Sequence, residues 1–306
     1  MAGRTRTTRS RTIGDGQGGA MAARKSLARL LRQTREAAKA TQVQAAAVLD
    51  QQVTKMHKLE NGLPGARLTK PEIDALARLY KITDPEIIRQ METLAAAIKV
   101  KGPYQPYKDV VSPELDMYLG LETDATSVTS YDNELLPGLL QTEAYARAII
   151  ALPGGDGRPR SDEEIDKRVR LRLQRQQVLT RERNPLTLDA ILSDTVLRRI
   201  PGDHELAIEQ LRHLNKIGKL RNVTIRIAPA DAGIHLGCTT GQFIILHFPG
   251  DEPPFVFSDG YLGHSYWKEE EEIERYEEAF ADVSKHALNA KDSRAFIEGI
   301  TREHEC

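Results

Sequence analysis

From Lys25 to about Lys99 the apolar residues recur at helical spacing, and no stretch alternates as a strand would. Leu27, Leu30 and Leu31 share one face of a helix predicted over Ser26–Ala38. Thr41 is placed to cap a second, short helix running through Val48. Met56 and Leu59, three apart, mark the inner side of a third helix over Gln52–Glu60. Asn61-Gly62 ends it, because both residues tolerate the left-handed conformation found past helix ends. Two further helices are predicted over Lys70–Tyr80 and Asp84–Lys99, which makes residues 24–99 an all-α five-helix domain. Pro103 and Pro106 around Gly102 then mark a linker over residues 100–110.

Beyond the linker the texture changes. Helices are predicted over Ser112–Leu121, Thr142–Ile150, Ser161–Thr180, His204–Leu220, Lys268–Leu288 and Ser293–Ile300. Strands are predicted over Ser127–Tyr131, Leu186–Leu192, Val223–Ile227, Gln242–Phe248 and Phe255–Phe257. Ser161-Asp162-Glu163-Glu164 has the form of a capping box with acids at the positive end of the helix dipole. Asp156-Gly157 and Asp259-Gly260 read as turns. Strands and helices that mix without regular alternation argue for α+β, and against a parallel doubly wound sheet. The chain as a whole is therefore predicted to be α+β, a helical N-terminal domain followed by a larger mixed domain at residues 111–300, with the strand order open. Ile273, Tyr276, Phe280, Val283 and Ala287 line one helix face, suited to core packing or to a dimer seam too short for a coiled coil.

Two short helices across a tight turn, the second closed by Asn-Gly, form a helix-turn-helix pattern. The residues Thr41-Gln42-Val43-Gln44-Ala45-Ala46, Leu49, Met56 and Leu59-Glu60-Asn61-Gly62 resemble the XRE type of this motif, the family of phage repressors and Cro proteins. Asp50 stands where glycine is common in the turn, Gln52 where a Ser cap is usual, and Val53 where a base-reading Gln is frequent. Aspartate also reaches the left-handed region, so the departure at the turn leaves the fold intact. The resemblance implies a second helix lying in the DNA major groove with its N-terminal residues at base edges. On it Gln52 is placed to pair with adenine or to cap its own helix, Val53 and the Thr54 methyl to touch a thymine methyl, and Lys55 to reach guanine or phosphate. His57 and Lys58 are candidates for backbone or base, and Gln42 for a phosphate at a helix N-terminus. The same polar residues would also suit a merely solvated helix face.

A second resemblance covers roughly residues 107–298. Leu136-Pro137-Gly138-Leu139-Leu140-Gln141-Thr142-Glu143-Ala144-Tyr145-Ala146-Arg147-Ala148, then Arg172 to Gln176, then Gly233-Ile234-His235 and Gly241-Gln242-Phe243 carry it. They are similar to the long domain of unknown function that follows an XRE-type helix-turn-helix in a large group of bacterial regulators. That resemblance implies an antitoxin-like, developmental or secondary-metabolism regulator whose C-terminal domain senses a ligand or a small, acidic or neighbour-encoded protein. The alternatives it leaves open are a domain that is mainly a protein-interaction module, or a small-molecule enzyme.

Charge sharpens this division. The 306 residues carry a formal net charge of -1, which taken whole argues against nucleic acid. Residues 1–100, however, hold 18 Lys and Arg against 9 Asp and Glu, and the remainder 25 against 35. A basic domain joined to an acidic one is what a DNA reader with a partner domain would give. Residues 1–23, with Arg4, Arg6, Arg9 and Arg11 followed by a Gly-rich stretch, read as a disordered basic arm, or as residues preceding a natural start at Met21. Aromatics at 5% are few for a single-strand binder, and no run is apolar enough for a membrane span or a secretion signal, so a cytoplasmic protein is expected.

The candidates for chemistry are few. His235 and Cys238 lie close in sequence, but a structural zinc site wants four ligands and no second pair completes one. Cys238 is either a redox sensor or an ordinary small buried thiol, and Cys306 is terminal. No nucleophile elbow, Walker loop or dinucleotide fingerprint is present. Neither an enzyme nor a cofactor is expected. Arg168, Arg172 and Arg175 fall on one helical face and, with Tyr145, are candidates to hold a ligand or acidic partner, the alternative being a solvated stripe. The expected partners are a double-stranded operator and a second copy, since a dimer reads two half-sites about one helical turn apart.

Overall fold

Helix α1 (Gly19–Ala37) starts earlier than its periodicity suggests, and reaches into residues expected to belong to a disordered arm. Ala20, Met21, Ala22, Ala23 and Arg24 all favour helix, and Ala23 joins Leu27 and Leu31 in the core, so the helix gains by extending. The computed structural model describes residues 19–62, 66–98, 104–153, 157–250, 252–260, 263–267 and 269–305. The rest of the basic arm, the first residues of the predicted linker, residues 154–156 and Cys306 lie outside these.

The chain divides after Pro103 into two compact units. In the first, α2 (Gln42–Val48) is capped by Thr41, whose Oγ1 accepts from the Gln44 N–H at 3.2 Å while the Thr41 N–H donates to Gln44 Oε1 at 2.9 Å. Thr41→Ala removes this box and is expected to cost about 1 kcal/mol. Faster hydrogen exchange confined to the α2 amides is the measurement that checks it. Asp50 takes the turn with φ of +51°, the left-handed conformation its residue type tolerates. Helix α3 (Val53–Glu60) follows, then α4 (Lys70–Leu79) and α5 (Pro85–Ala97). One core joins all five helices through Leu27, Leu31, Ala45, Met56, Ile73, Leu76 and Met91, each 1% exposed or less.

The second unit includes Tyr104, which is buried, and a short 3-10 helix over Gln105–Tyr107, so its packing begins inside the stretch read as a linker. Its sheet has the order β3-β2-β1-β4-β5-β6. Strands β1 (Ser127–Asp132), β2 (Thr187–Ser193) and β3 (Val223–Ala228) are parallel, with Val128 opposite Leu188 and Leu188 opposite Val223. Strands β4 (Phe243–His247), β5 (Phe255–Gly260) and β6 (Gly263–Trp267) add antiparallel, giving the mixed sheet of an α+β domain. Strand β6 leaves little mark on the sequence pattern, because Ser265 and Tyr266 are exposed at the sheet edge and the apolar alternation is weak. Asp259-Gly260 does not end the strand before it: both residues pair with β6, opposite His264 and Gly263.

Around the sheet lie α6 (Pro113–Asp124), α7 (Glu143–Ala151), α8 (Asp162–Gln176), α9 (Asp194–Arg198), α10 (His204–Ile217), α11 (Gly237–Thr240), α12 (Glu270–His286) and α13 (Ala290–Glu305). The short α9 and α11 have no counterpart in the periodicity. Ile273, Tyr276, Phe280, Val283 and Ala287 of α12 and the residue after it pack on Tyr131, Ile191, Phe243, Ile245 and Val256 of the sheet. That face is core, so it offers no seam to a second copy.

Candidate nucleic-acid interface

Helix α3 is amphipathic in a way that fixes what it can show to a partner. Met56, Leu59 and Glu60 are buried, Lys55 is half-buried, and Val53, Thr54, His57 and Lys58 form the outward arc. Gln52 precedes them as N-cap residue but makes no cap bond with its side chain, which instead accepts from the Thr54 hydroxyl at 3.4 Å. His57 is steadied from behind: Asn61 Nδ2 donates to the His57 carbonyl at 2.7 Å and lies 3.2 Å from its ring Nδ1, while Asn61 Oδ1 accepts from Arg32 at 3.1 Å.

Two of the residues singled out in the sequence are half-buried and engaged by carboxylates of the same unit. Gln42 Nε2 donates to Glu60 Oε2 at 2.8 Å, and Lys55 Nζ pairs with the Glu72 carboxylate. Glu72 also closes a capping box on Thr69. Burial alone would raise the Glu72 carboxyl, but the bonds from Lys55 and Thr69 hold it below the usual carboxylate range.

Sequence reasoning gave Glu60 no role beyond its place in the Leu59-Glu60-Asn61-Gly62 motif. Its side chain is 0% exposed and accepts from both Arg35 Nε at 2.7 Å and Arg35 Nη2 at 3.0 Å, while Arg35 Nη1 donates to the Ala40 carbonyl at 3.0 Å. This bidentate pair, with Gln42, ties α1, α2 and α3 together. The hydrogen bond to Glu60 holds the Arg35 guanidinium above its ordinary value despite burial. The signal available in the sequence was a charge at the inward phase of α3, flanked by Met56 and Leu59.

The candidates in the second unit have structural partners. Tyr145 is 0% exposed and its Oη accepts from the Leu136 N–H at 3.2 Å. Arg175 is buried and makes a bidentate pair with Glu122 at 2.9 and 2.8 Å, with Tyr118 donating to the same carboxylate at 2.8 Å. Arg172 donates to Gln141 Oε1 at 2.7 Å, and Arg168 pairs with Glu164 at 3.0 Å. The expected stripe is thus divided among separate internal contacts. The Leu136–Ala148 block is similarly knitted: Gln141 Nε2 donates to the Leu136 carbonyl, Gln176 Nε2 to those of Gly138 and Gln141, and Gln210 bridges Thr142 and Leu140. A Cβ on Gly138 would sit 3.0 Å from Arg172 Cδ, so a side chain there would press on the arginine that bonds Gln141.

His235 is buried beneath an exposed loop, with Ile234 88% and Leu236 46% exposed on either side. Its ring stands edge-on to Tyr131, and burial, with His286 alongside, pushes its pKa down. Gly237 is required here, because a Cβ would lie 2.5 Å from Tyr131 Cε1. Cys238 is exposed, not buried as an ordinary structural thiol would be, and lies 3.8 Å from His235 Nδ1. Among the described residues no group of three or more His, Cys, Asp or Glu is arranged to hold a metal, and no helix is long and apolar enough to cross a membrane.

Compared with known protein families, residues 26–89 match a Helix-turn-helix domain, and residues 115–299 match the Domain of unknown function (DUF5753). The chain belongs to the DUF5753 family. Curated proteins and solved structures returned no match. In this DUF5753 protein the N-terminal unit is a helix-turn-helix domain of the kind DNA-binding regulators carry, as the XRE resemblance implied.

Proposed function

We propose that the protein is a sequence-specific DNA-binding transcription regulator, reading a double-stranded operator as a homodimer. The observation that carries this is the outward arc of α3, where Val53, Thr54, His57 and Lys58 are exposed together behind Gln52 on the basic half of the chain. A helix of this size presents its first turn to base edges in the major groove, and neighbouring cations meet phosphates. Gln42 and Lys55 serve the motif from inside, holding its helices at the required angle.

A gel shift of the protein against its own promoter across a salt series tests the reading. A specific complex at low salt is expected, and its absence sinks the proposal. Lys58→Ala should weaken binding to all duplexes alike and lower the slope of log K against log salt by about 1, the signature of one lost phosphate contact.

A second reading concerns the acidic unit. We infer that it binds a small protein partner that controls DNA release, supported by the exposed apolar pair Ile234 and Leu236 on a surface otherwise rich in charge. Isothermal titration with the small gene product encoded beside it is the test. No heat of binding, with DNA affinity unchanged when that product is added, counts against it.

A further inference from the structure

We propose that α3 reads thymine through its 5-methyl group, with Val53 and Thr54 as the specificity-determining residues. This rests on the regulator reading above and narrows it to a class of target sequence.

Helix α3 is marked first by what it lacks. Guanine is read mainly by an Arg or Lys reaching O6 and N7, and α3 has no arginine. Its first-turn lysine, Lys55, is drawn into the ion pair with Glu72, whose own position is set by the Thr69 capping box. Releasing Lys55 to a base would leave a half-buried carboxylate without its cation. Lys58 lies a turn further on, better placed for backbone.

What remains at the first turn is methyl-bearing. Val53 is 41% exposed, an apolar side chain on a face otherwise polar and charged. The Thr54 hydroxyl donates to Gln52 Oε1 over a long 3.4 Å, and its Cγ2 methyl adds a second apolar group to the same turn. In the major groove only thymine carries an apolar group of its own, the C5 methyl. Burying it against Val53 and Thr54 removes apolar surface on both sides from water. The Gln52 amide, next along the chain, still has Nε2 to offer an adjacent acceptor.

The test selects tight-binding duplexes from a randomised library with the full-length protein. Each thymine of the selected duplex is then replaced in turn by deoxyuridine, which deletes only the methyl. Uracil at one or two positions per half-site should weaken the wild-type complex about fourfold each. Val53→Ala, at an exposed position where folding is not at stake, should lose that sensitivity at one of them while still binding. A selected duplex bound equally well with uracil at every position overturns the inference and leaves the regulator reading standing. Selection that yields no consensus removes both.

Discussion

Arg175→Ala is expected to destabilise the C-terminal unit by about 3–5 kcal/mol, several times what a helix cap such as Thr41 contributes. The reason lies in what is left behind. Glu122 has a side chain 0% exposed, and without the guanidinium its carboxylate keeps, among the described residues, the Tyr118 hydroxyl at 2.8 Å as its hydrogen-bond partner. Burial acts to lower the Arg175 pKa, and the facing Glu122 carboxylate more than reverses this, so the buried guanidinium depends on the carboxylate it faces. The same carboxylate adds to burial in pushing the Tyr118 hydroxyl well up. Replacing both partners together, as Glu122→Gln with Arg175→Met, should recover much of the loss, since no uncompensated charge then remains in the core. Trp267, the chain's single tryptophan, packs against Tyr276 at 4.9 Å between ring centres, so its fluorescence follows urea unfolding of this unit. A cost below about 1 kcal/mol for Arg175→Ala would place the pair in the weak class of surface ion pairs.

The second large effect is a dependence on pH. Asp132 ends β1 in a buried position, with the Ser130 hydroxyl donating to its Oδ2 at 2.7 Å. Burial pushes its carboxyl up to about 7, against which the bond from Ser130 acts only partly. A carboxyl raised in the folded state binds its proton more tightly there than when unfolded. Its contribution is therefore fully present below the unfolded value near pH 4, falls as pH rises, and is gone above pH 7. Over that window the loss is on the order of 4 kcal/mol. Carboxylates whose values are depressed, such as Glu72 in the other unit, work in the opposite direction at lower pH. The Asp132→Asn variant should gain on wild type between pH 5 and pH 8, because the amide has no proton to lose. Urea titrations of both proteins at the two pH values, followed through Trp267, measure it. Parallel shifts in the two proteins would mean that Asp132 does not titrate in this range.

Much of the N-terminal unit is legible in the residue pattern. Leu27 and Leu31, Met56 and Leu59, and the Thr41 cap are local signals, because a helix repeats every few residues and its ends need particular side chains. The exposed arc of Val53, Thr54, His57 and Lys58 follows from the same periodicity. Gln42 and Lys55 look no different in sequence from their neighbours. Their ties to Glu60 and Glu72 join residues 18 and 17 positions away, and no local rule reaches that far.

In the C-terminal unit the balance shifts. The face of α12 can be read from its spacing, but spacing is the same whether Ile273, Phe280 and Val283 meet a second copy or a sheet, and the fold sets Tyr131, Phe243 and Val256 against them. The Leu136–Ala148 block, the strongest family signal in this half, turns out to be a hydrogen-bonded support in which Tyr145 and Arg172 face inward to Leu136 and Gln141.

Residue types and their periods thus suffice for two unlike domains, a basic helical one and an acidic mixed one, since charge and amphipathicity are properties of short segments. The order β3-β2-β1-β4-β5-β6, the pairing of Glu122 with Arg175, and the withdrawal of Lys55 to Glu72 belong to the folded molecule. Each joins residues far apart in the chain, and burial, which exists only after folding, makes an ion pair structural and leaves Val53 and Thr54 at the front of α3.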